Sequence, residues 1–250
     1  MAGGGVLRKG PRPGEWRKDC AGDKGGDDKP VPTGADTGGK ETVSMHPNPV
    51  YRRMPEEDVL AFARGRGFGL LLVNGPQGPL AAHVPFTLTP DGKVAEMHLV
   101  RSNAIVRALG DGLPALLAVS GPDGYISPDW YGIDDQVPTW NYIAAHLRGT
   151  LEPLPDTALR DQLDRLSEVF EARLEPKTPW KADKMPAELL SRMMRSICAV
   201  RLTIASVDGT WKLTQNKPEA ARLAAAGRLT ADTPGQETAA LAALMRDPPA

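Results

Sequence analysis

The sequence predicts an α+β protein whose core is an antiparallel β-barrel or β-sheet. Two observations support this prediction. Short apolar strands separated by Gly, Pro and Asp turns fill the first half of the core region, and most helical patterns come later in the chain. The chain has 250 residues and is 41% apolar, which is enough for a substantial core.

The elements of the first half follow one another with short connections. Pro55-Glu56-Glu57 opens a helix that Gly65 and Gly67 end. The strand that follows, 68–73, is apolar and is expected to be buried. Further strands are predicted at 80–88, 93–100 and 115–119, with turns at 74–78, 90–92 and 121–124 and a short helix at 103–109.

The second half alternates strands with longer helices. Residues 140–151, with the aromatic segment before them, supply one or two strands. A helix begins behind Asp156 as its N-cap and carries apolar residues at helical spacing, namely Leu159, Leu163, Leu166 and Phe170. Two more helices are predicted at 186–195 and 218–226, and a late strand at 197–207.

The two ends of the chain differ in amino-acid composition from the middle. Residues 1–44 hold eleven of the 26 glycines and few aliphatic side chains, so we expect a disordered extension. We expect Met45 to be the natural start and residues 45–227 to form the folded domain. Residues 228–250 are predicted to be a tail, with at most a short amphipathic helix and a frayed end.

Composition excludes several classes of protein. The formal net charge is −1, so there is no bulk basic field to hold nucleic acid and no acidic tail. No apolar run approaches the roughly 18 residues of a membrane span, and no signal core precedes the domain. Cys20 and Cys198 are the only cysteines, which argues against a disulfide framework or a thiolate metal site. We expect a cytoplasmic protein with no membrane association.

The stretch from Tyr125 to Tyr142 concentrates the aromatic side chains of the chain. It holds five of the thirteen Trp, Tyr and Phe residues, interleaved with prolines and small hydrogen-bonding side chains. Flat apolar faces beside short donors and acceptors suit a planar ligand with polar edges. A loop anchored to the core by its aromatic side chains is an equally good interpretation of this stretch alone.

A second candidate site follows the third strand, where His98-Leu99-Val100-Arg101-Ser102-Asn103 runs directly into a helix. Free N–H groups at a helix start and a guanidinium fork can hold a phosphate. The simpler interpretation is that Ser102 or Asn103 caps the helix and that Arg101 is solvated. The chain has no glycine-rich Rossmann or P-loop motif.

The histidines show no zinc-site spacing, and no nucleophile is evident. His83 and His98 could face each other across one hairpin, whereas His146 lies in a later strand. Asp134 and Asp135 are interpreted as loop residues rather than an acid–base pair. These patterns favour a cofactor or ligand site over hydrolysis and predict no metal site.

Five motifs together resemble the PaiB-like family of FMN-binding negative transcriptional regulators. In chain order they are A-A-H-V-P (81–85), H-L-V-R-S-N (98–103), Y-I-S-P-D-W-Y (125–131), V-P-T-W-N-Y (137–142) and K-L-T-Q-N-K (212–217). The resemblance covers about residues 45–227 and implies a split β-barrel with peripheral helices. It also implies a homodimer with FMN in the cleft between subunits. Ala82 and Ala104 depart from the family, which often has Thr and Pro at these places.

The resemblance also implies roles for individual residues. Arg101, Ser102 and Asn103 would hold the FMN phosphate. The isoalloxazine ring or the ribityl chain would be lined by His83, His98, Trp140 and Asn141.

The remaining implied contacts come from two other motifs. Tyr125, Ile126 and Ser127 would form a wall of the cleft. Lys212, Gln215 and Asn216 match the late polar motif of the family and would close the site, from the same subunit or from its partner. The charge of Lys212 near the pyrimidine edge of the flavin would favour the reduced anion.

The predicted function is that of an FMN-binding regulatory protein. No helix-turn-helix signature or basic recognition helix is present in the sequence, so any DNA association is expected to be indirect or weak. Two alternatives stay open, a flavin-dependent oxidoreductase acting on a small molecule and a haem-binding relative with His83, His98 or His146 as axial ligand. An enzymatic activity is not assigned.

Overall fold

The computed structural model describes residues 44–249; the extension expected at 1–44 lies outside them except for its last residue. The strands are β1 Phe68–Gly75, β2 Gly78–Leu88, β3 Val94–Val100, β4 Leu113–Ile126, β5 Thr139–Pro153, β6 Ile197–Lys212 and β7 Gly235–Gln236. The helices are α1 Glu56–Arg66, α2 Ala104–Leu109, α3 Leu159–Glu171, α4 Ala187–Met194, α5 Glu219–Ala226 and α6 Thr238–Arg246.

Six strands close into an antiparallel barrel, in the order β1-β2-β3-β6-β5-β4, and β4 pairs back onto β1. Alternate side chains on each strand point inward, as the two-residue period of a strand requires. The innermost are fully buried leucines from four different strands, namely Leu71, Leu117, Leu147 and Leu202. The α+β fold class predicted from the hairpins is confirmed, and the barrel is its closed form.

The barrel is weakest between β2 and β3. These strands pair only from Phe86 to Leu88 on β2, opposite Ala95 to Met97 on β3. Pro85 precedes this short ladder and has no N–H group to extend it. The last residues of β3 pair with β6 alone, so the two strands separate at this point.

Two helices pack against different sets of barrel strands. The first turn of α1 carries three acidic residues, and the helix ends at Gly67, whose φ of 60° suits glycine. Helix α1 contacts β4, β5 and β6 through buried Val59 and Ala63. Helix α2 contacts β1, β2 and β5 and buries Ile105 and Leu109.

The strand predicted at 68–73 is buried on one face only. Leu71 and Val73 point into the barrel, whereas Leu70 and Leu72 are half-buried on its outer face. Phe68 is 53% exposed at the start of β1. The apolar sequence of this strand predicts a buried strand, but one of its faces remains partly open.

The turn predicted at 121–124 is wrong. Strand β4 continues through these residues, and its register against β5 shifts between Ser120 and Asp123. A β-bulge therefore accommodates Pro122, whose missing N–H and neighbouring glycines are also typical of a turn. Beyond the bulge, β4 pairs with both β5 and the short β7.

The segment between β5 and β6 carries α3 and α4 on the outside of the barrel. Gln162 of α3 donates from Nε2 to the carbonyl of Val200 at 3.2 Å, which fixes the helix on β6. The predicted N-cap at Asp156 is wrong, because α3 begins at Leu159 after a short 3-10 turn with no side-chain cap. The carboxylate of Asp156 instead accepts a hydrogen bond from Arg101.

The described part of the predicted tail, residues 228–249, is more closely packed than the sequence predicts. Helix α6 packs on α5 and β4, and its Leu241 and Met245 have no exposed surface. Arg222 of α5 donates to the carbonyl of Arg246 at 2.9 Å, which joins the two helices. No helix in the range 44–249 is long and apolar enough to cross a membrane.

Candidate functional site

The junction between β3 and α2 brings a half-exposed guanidinium beside a capped helix. Arg101 donates from Nε to the carbonyl of Arg195 at 3.0 Å and from Nη2 to the Asp156 carboxylate at 2.6 Å. The hydrogen bond to Asp156 raises the pKa of Arg101. The side chain therefore extends toward the start of β6, and no residue of the described chain bonds its Nη1 group.

The other two predicted phosphate contacts have local roles in this structure. Asn103 accepts the N–H of Ile105 on Oδ1 at 2.9 Å, so it is the cap of α2, as the simpler interpretation proposed. The carbonyl of Ser102 accepts a hydrogen bond from Arg107. The hydroxyl of Ser102 is exposed beside Arg101 and has no hydrogen bond within residues 44–249.

His98 lies just past the end of the β2–β3 ladder, where it pairs with Ala199 of β6. Burial lowers its pKa, and its Nδ1 atom is buried without a hydrogen-bond partner in the described part of the chain. His83 is not opposite His98, because β2 and β3 pair only between 86–88 and 95–97, and His83 pairs with Leu70 of β1. The ring of His83 instead stacks on Phe68, with ring centroids 6.3 Å apart.

The end of β4, the start of β5 and the end of β6 form an aromatic wall with one lysine. Tyr125 and Trp140 are cross-strand partners whose rings meet edge to face at 6.3 Å, and Trp140 is 47% exposed. Lys212 donates to Thr139 Oγ1, and burial lowers the pKa of its amine. No carboxylate of the described chain forms an ion pair with Lys212.

Several residues predicted to face the ligand point elsewhere. Ile126 and Asn141 are buried, with 0% and 1% of their surface exposed. Asn141 donates from Nδ2 to Thr214 Oγ1 at 2.6 Å. Gln215 forms hydrogen bonds only within its own turn, to the N–H of Leu213 and the carbonyl of Trp211.

The last two predicted contacts lie at element ends. Ser127 precedes a short 3-10 turn without capping it, and Asn216 is exposed after the late strand. Neither side chain forms a hydrogen bond with any residue that the structure describes.

The predicted site residues therefore form two separate groups. The phosphate group consists of His98, Arg101, Ser102 and Asn103. The wall group consists of Tyr125, Trp140 and Lys212. Val100 pairs with Ile197 and Tyr142 pairs with Lys212, so the two groups lie at opposite ends of β6. This strand has 16 residues, or about 50 Å of extended chain.

Between the two groups runs a row of side chains on the outer face of the barrel. The register of four strand pairs aligns them in the order His83, Leu70, Ala118, His146 and Asp208. Apolar members of this row are half-buried, and Phe68 extends it. Sequence reasoning missed Phe68, although an aromatic residue at the start of an otherwise aliphatic strand was a visible signal.

The chemistry of these groups suits a ligand with an anionic end and a planar end. A guanidinium with unused N–H donors binds an anion, and an exposed indole beside a lysine binds a flat polar ring. No group of three or more His, Cys, Asp or Glu residues within 44–249 is placed to hold a metal ion.

Comparison with known proteins supports one class of ligand. A family model described as "Putative FMN-binding domain" matches residues 45–206. The "Protease synthase and sporulation protein PAI 2" of Bacillus subtilis is 28% identical over 165 residues, which cover 65% of this chain and 78% of that protein. An uncharacterized protein of Emericella nidulans is 26% identical over 182 residues, 57% of this chain and 72% of that protein.

Solved structures are more distant. The FAD and haem binding protein from Mycobacterium smegmatis is 19% identical and covers 65% of this chain and 73% of that chain. Its TM-score is 0.48, which is too low to carry an argument about this chain.

Proposed function

The chain belongs to the FMN-binding domain family, whose model matches residues 45–206, and on that premise we propose that it is an FMN-binding regulatory protein. FMN is the cofactor that this membership assigns. The regulatory role is supported by the Bacillus subtilis relative, whose name is "Protease synthase and sporulation protein PAI 2". A cytoplasmic homodimer with at most weak or indirect DNA association is part of the same proposal.

The phosphate of FMN would be held by the phosphate group. Arg101 has five N–H donors, of which the structure engages one on Nε and one on Nη2. The Nη1 donors remain for a phosphate, and the exposed hydroxyl of Ser102 lies on the next residue. The buried Nδ1 of His98, near this end, has no hydrogen-bond partner among residues 44–249.

The isoalloxazine ring would lie against the wall group. Trp140 offers an exposed aromatic face that Tyr125 supports from the side. Lys212 adds a positive charge that is partly shielded from water. Bound FMN supplies redox chemistry at this wall, whereas the residues of the chain supply orientation and charge.

The distance between the two groups supports a shared site. Arg101 and Lys212 lie beside opposite ends of the 16-residue strand β6, and on this separation we infer that one flavin takes its two sets of contacts from different protomers. Two copies related by a two-fold axis would offer the phosphate group of one and the wall group of the other. The half-buried apolar row that includes Leu70 and Ala118 is a suitable contact surface for such a pair.

The observation that carries the proposal is the family match over residues 45–206, and flavin titration of two variants tests it. Arg101→Ala should weaken FMN binding about ten- to a hundredfold, because a charge-assisted hydrogen bond contributes roughly 1.5–3 kcal/mol. The same change should affect riboflavin far less, since riboflavin has no phosphate. Trp140→Ala should weaken the binding of FMN and of riboflavin by the same factor.

Arg165→Ala is the matched control. Its guanidinium also forms a surface ion pair, with Glu96 of β3 at 2.6 Å, and Arg165 on α3 belongs to neither group. Absence of flavin binding by the unmodified protein would refute the proposed function. Equal loss of both ligands in Arg101→Ala would move the phosphate contact to another cation, with Lys212 and Lys217 as the next candidates.

A further inference from the structure

Two motifs about seventy residues apart in the sequence contact each other at three places. Lys212 donates to the hydroxyl of Thr139, and Lys217 donates to the side-chain carbonyl of Gln136. Between these contacts, Asn141 Nδ2 donates to Thr214 Oγ1 at 2.6 Å. We call this set of contacts, between residues 136–141 and 212–217, the clasp.

The central contact of the clasp is buried and has a fixed geometry. Asn141 and Thr214 are 1% and 2% exposed. Thr214 has a φ of 70°, a conformation that is unfavourable for a β-branched residue. The side chain of Gln215 brackets the same turn, so the backbone presents the Thr214 hydroxyl to Asn141.

The clasp holds the residues on both sides of Trp140. Thr139 and Asn141 flank this tryptophan on β5, and each is fixed through its own side chain. Because alternate residues of a strand point to opposite faces, fixing these two directs Trp140 to the other face. There its ring is half-exposed beside Tyr125.

A second contact of the same motif anchors the loop that precedes β5. The Lys217 ammonium lies 4.6 Å from the ring centroid of Tyr131, which is 2% exposed. A cation over an aromatic face is attractive. Lys217 thus connects the fixed ring of Tyr131 to Gln136, just before the wall begins.

We propose that Thr214 and Lys217 are positioning residues that hold Trp140 in place for the flavin ring. This inference rests on the proposed function. Lys212 of the late polar motif belongs to the wall group, whereas Thr214, Gln215 and Lys217 act indirectly. They fix residues 136–141, and the ligand meets the tryptophan within this segment.

Substitution of the central hydroxyl tests the inference. In Thr214→Val the acceptor for Asn141 is lost, whereas Thr214→Ser keeps it. Thr210→Val is the matched control, because Thr210 lies on β6 four residues before Thr214, is fully buried and has an unpartnered hydroxyl within the described chain. Hydrogen exchange of residues 131–142 without ligand, and titration with FMN and with riboflavin, are measured for each variant.

Thr214→Val should speed hydrogen exchange in residues 136–142. It should also weaken the binding of FMN and of riboflavin by the same factor, about tenfold for one lost buried hydrogen bond. For Thr214→Ser and Thr210→Val, the exchange rates and the flavin dissociation constants should stay within about twofold of those of the unmodified protein, since neither substitution removes a clasp contact. The inference is overturned if Thr214→Val matches Thr210→Val in both measurements.

Lys217→Met keeps the test decisive if Thr214→Val does not fold. It removes the outer contact while retaining most of the side-chain stem, so exchange in 131–137 should rise and both flavins should bind more weakly. Unchanged exchange in that range would overturn the inference. If the unmodified protein binds no flavin, the proposed function fails, whereas the exchange comparison still decides whether the clasp exists.

Discussion

His98 is mostly buried at the point where β2 and β3 separate, and burial lowers the pKa of its imidazole. The folded state therefore binds a proton less readily than the unfolded chain, whose histidines titrate near 6.5. As the pH falls through this value the unfolded state gains the proton first. The free energy of unfolding must decrease on acidification, by at most about 1.4 kcal/mol per pH unit for one proton.

His98→Gln should remove this contribution. We expect the urea midpoint of the unmodified protein to fall between pH 7.5 and pH 5.5, and the variant to lose less over the same interval. Part of the dependence should remain, because the pKa values of His46 and His146 are also lowered by burial. Identical pH profiles for the two proteins would show that His98 titrates alike in the folded and unfolded states.

At the level of elements, the pairing of β5 with β6 depends on one glycine. The register of these strands shifts between Arg148 and Gly149, and a Cβ at Gly149 would overlap the carbonyl of Thr203. Gly149→Ala should lower the free energy of unfolding by about 3 kcal/mol through overpacking. Gly65 in α1 has open space around it, so Gly65→Ala should raise that free energy by about 0.5–1 kcal/mol.

Thermal and urea unfolding of both alanine variants measure this difference. Equal effects of the two substitutions would contradict the assignment of the bulge to Gly149, because helix propensity and backbone overlap predict opposite signs.

Helix α6 should contribute to the stability of the barrel rather than form a loose tail. Leu241 is fully buried against its surroundings, so Leu241→Ala should cost about 2–5 kcal/mol. Leu223 on α5 is 40% exposed and serves as the control, with a much smaller expected loss. Similar urea midpoints for the two variants would show that α6 is not part of the cooperative unit.

The sequence predicts most elements but not every boundary. The periodicity of hydrophobic residues and the positions of Pro and Gly locate α1, β1 to β3 and α2 closely, because these signals are local. The same Gly and Pro residues at 121–124 indicated a turn, and only tertiary pairing with β5 and β7 shows that they form a bulge. The burial of α6 was missed because its Ala-rich pattern does not reveal which surface will cover it.

The site shows the same division between local and tertiary information. Motifs identified Arg101, Trp140 and Lys212 as polar or aromatic residues of interest, and all three have half-exposed or half-buried side chains. The sequence does not show that Asn141 turns inward, because alternation along a strand gives two faces without naming the inner one. The contact of Asn141 with Thr214 depends on a turn seventy residues later.

For the whole molecule, the separation of the phosphate group from the wall group is the central feature. The two groups stand at opposite ends of β6, and the proposed site between two copies would join them. The protein should therefore have in solution twice its chain mass of 26.8 kDa. Light scattering at micromolar concentration measures this, and a monomer alone would oppose a shared site.

Complementation between two defective protomers tests the shared FMN site most directly. Consider a mixed dimer of an Arg101→Ala chain and a Trp140→Ala chain. If each site takes its phosphate group from one chain and its wall group from the other, one site carries both substitutions and the second site carries neither. We expect this dimer to bind one FMN with the affinity of the unmodified protein. Binding no tighter than that of the two parent variants would contradict it, because each protomer would then hold its own complete but defective site.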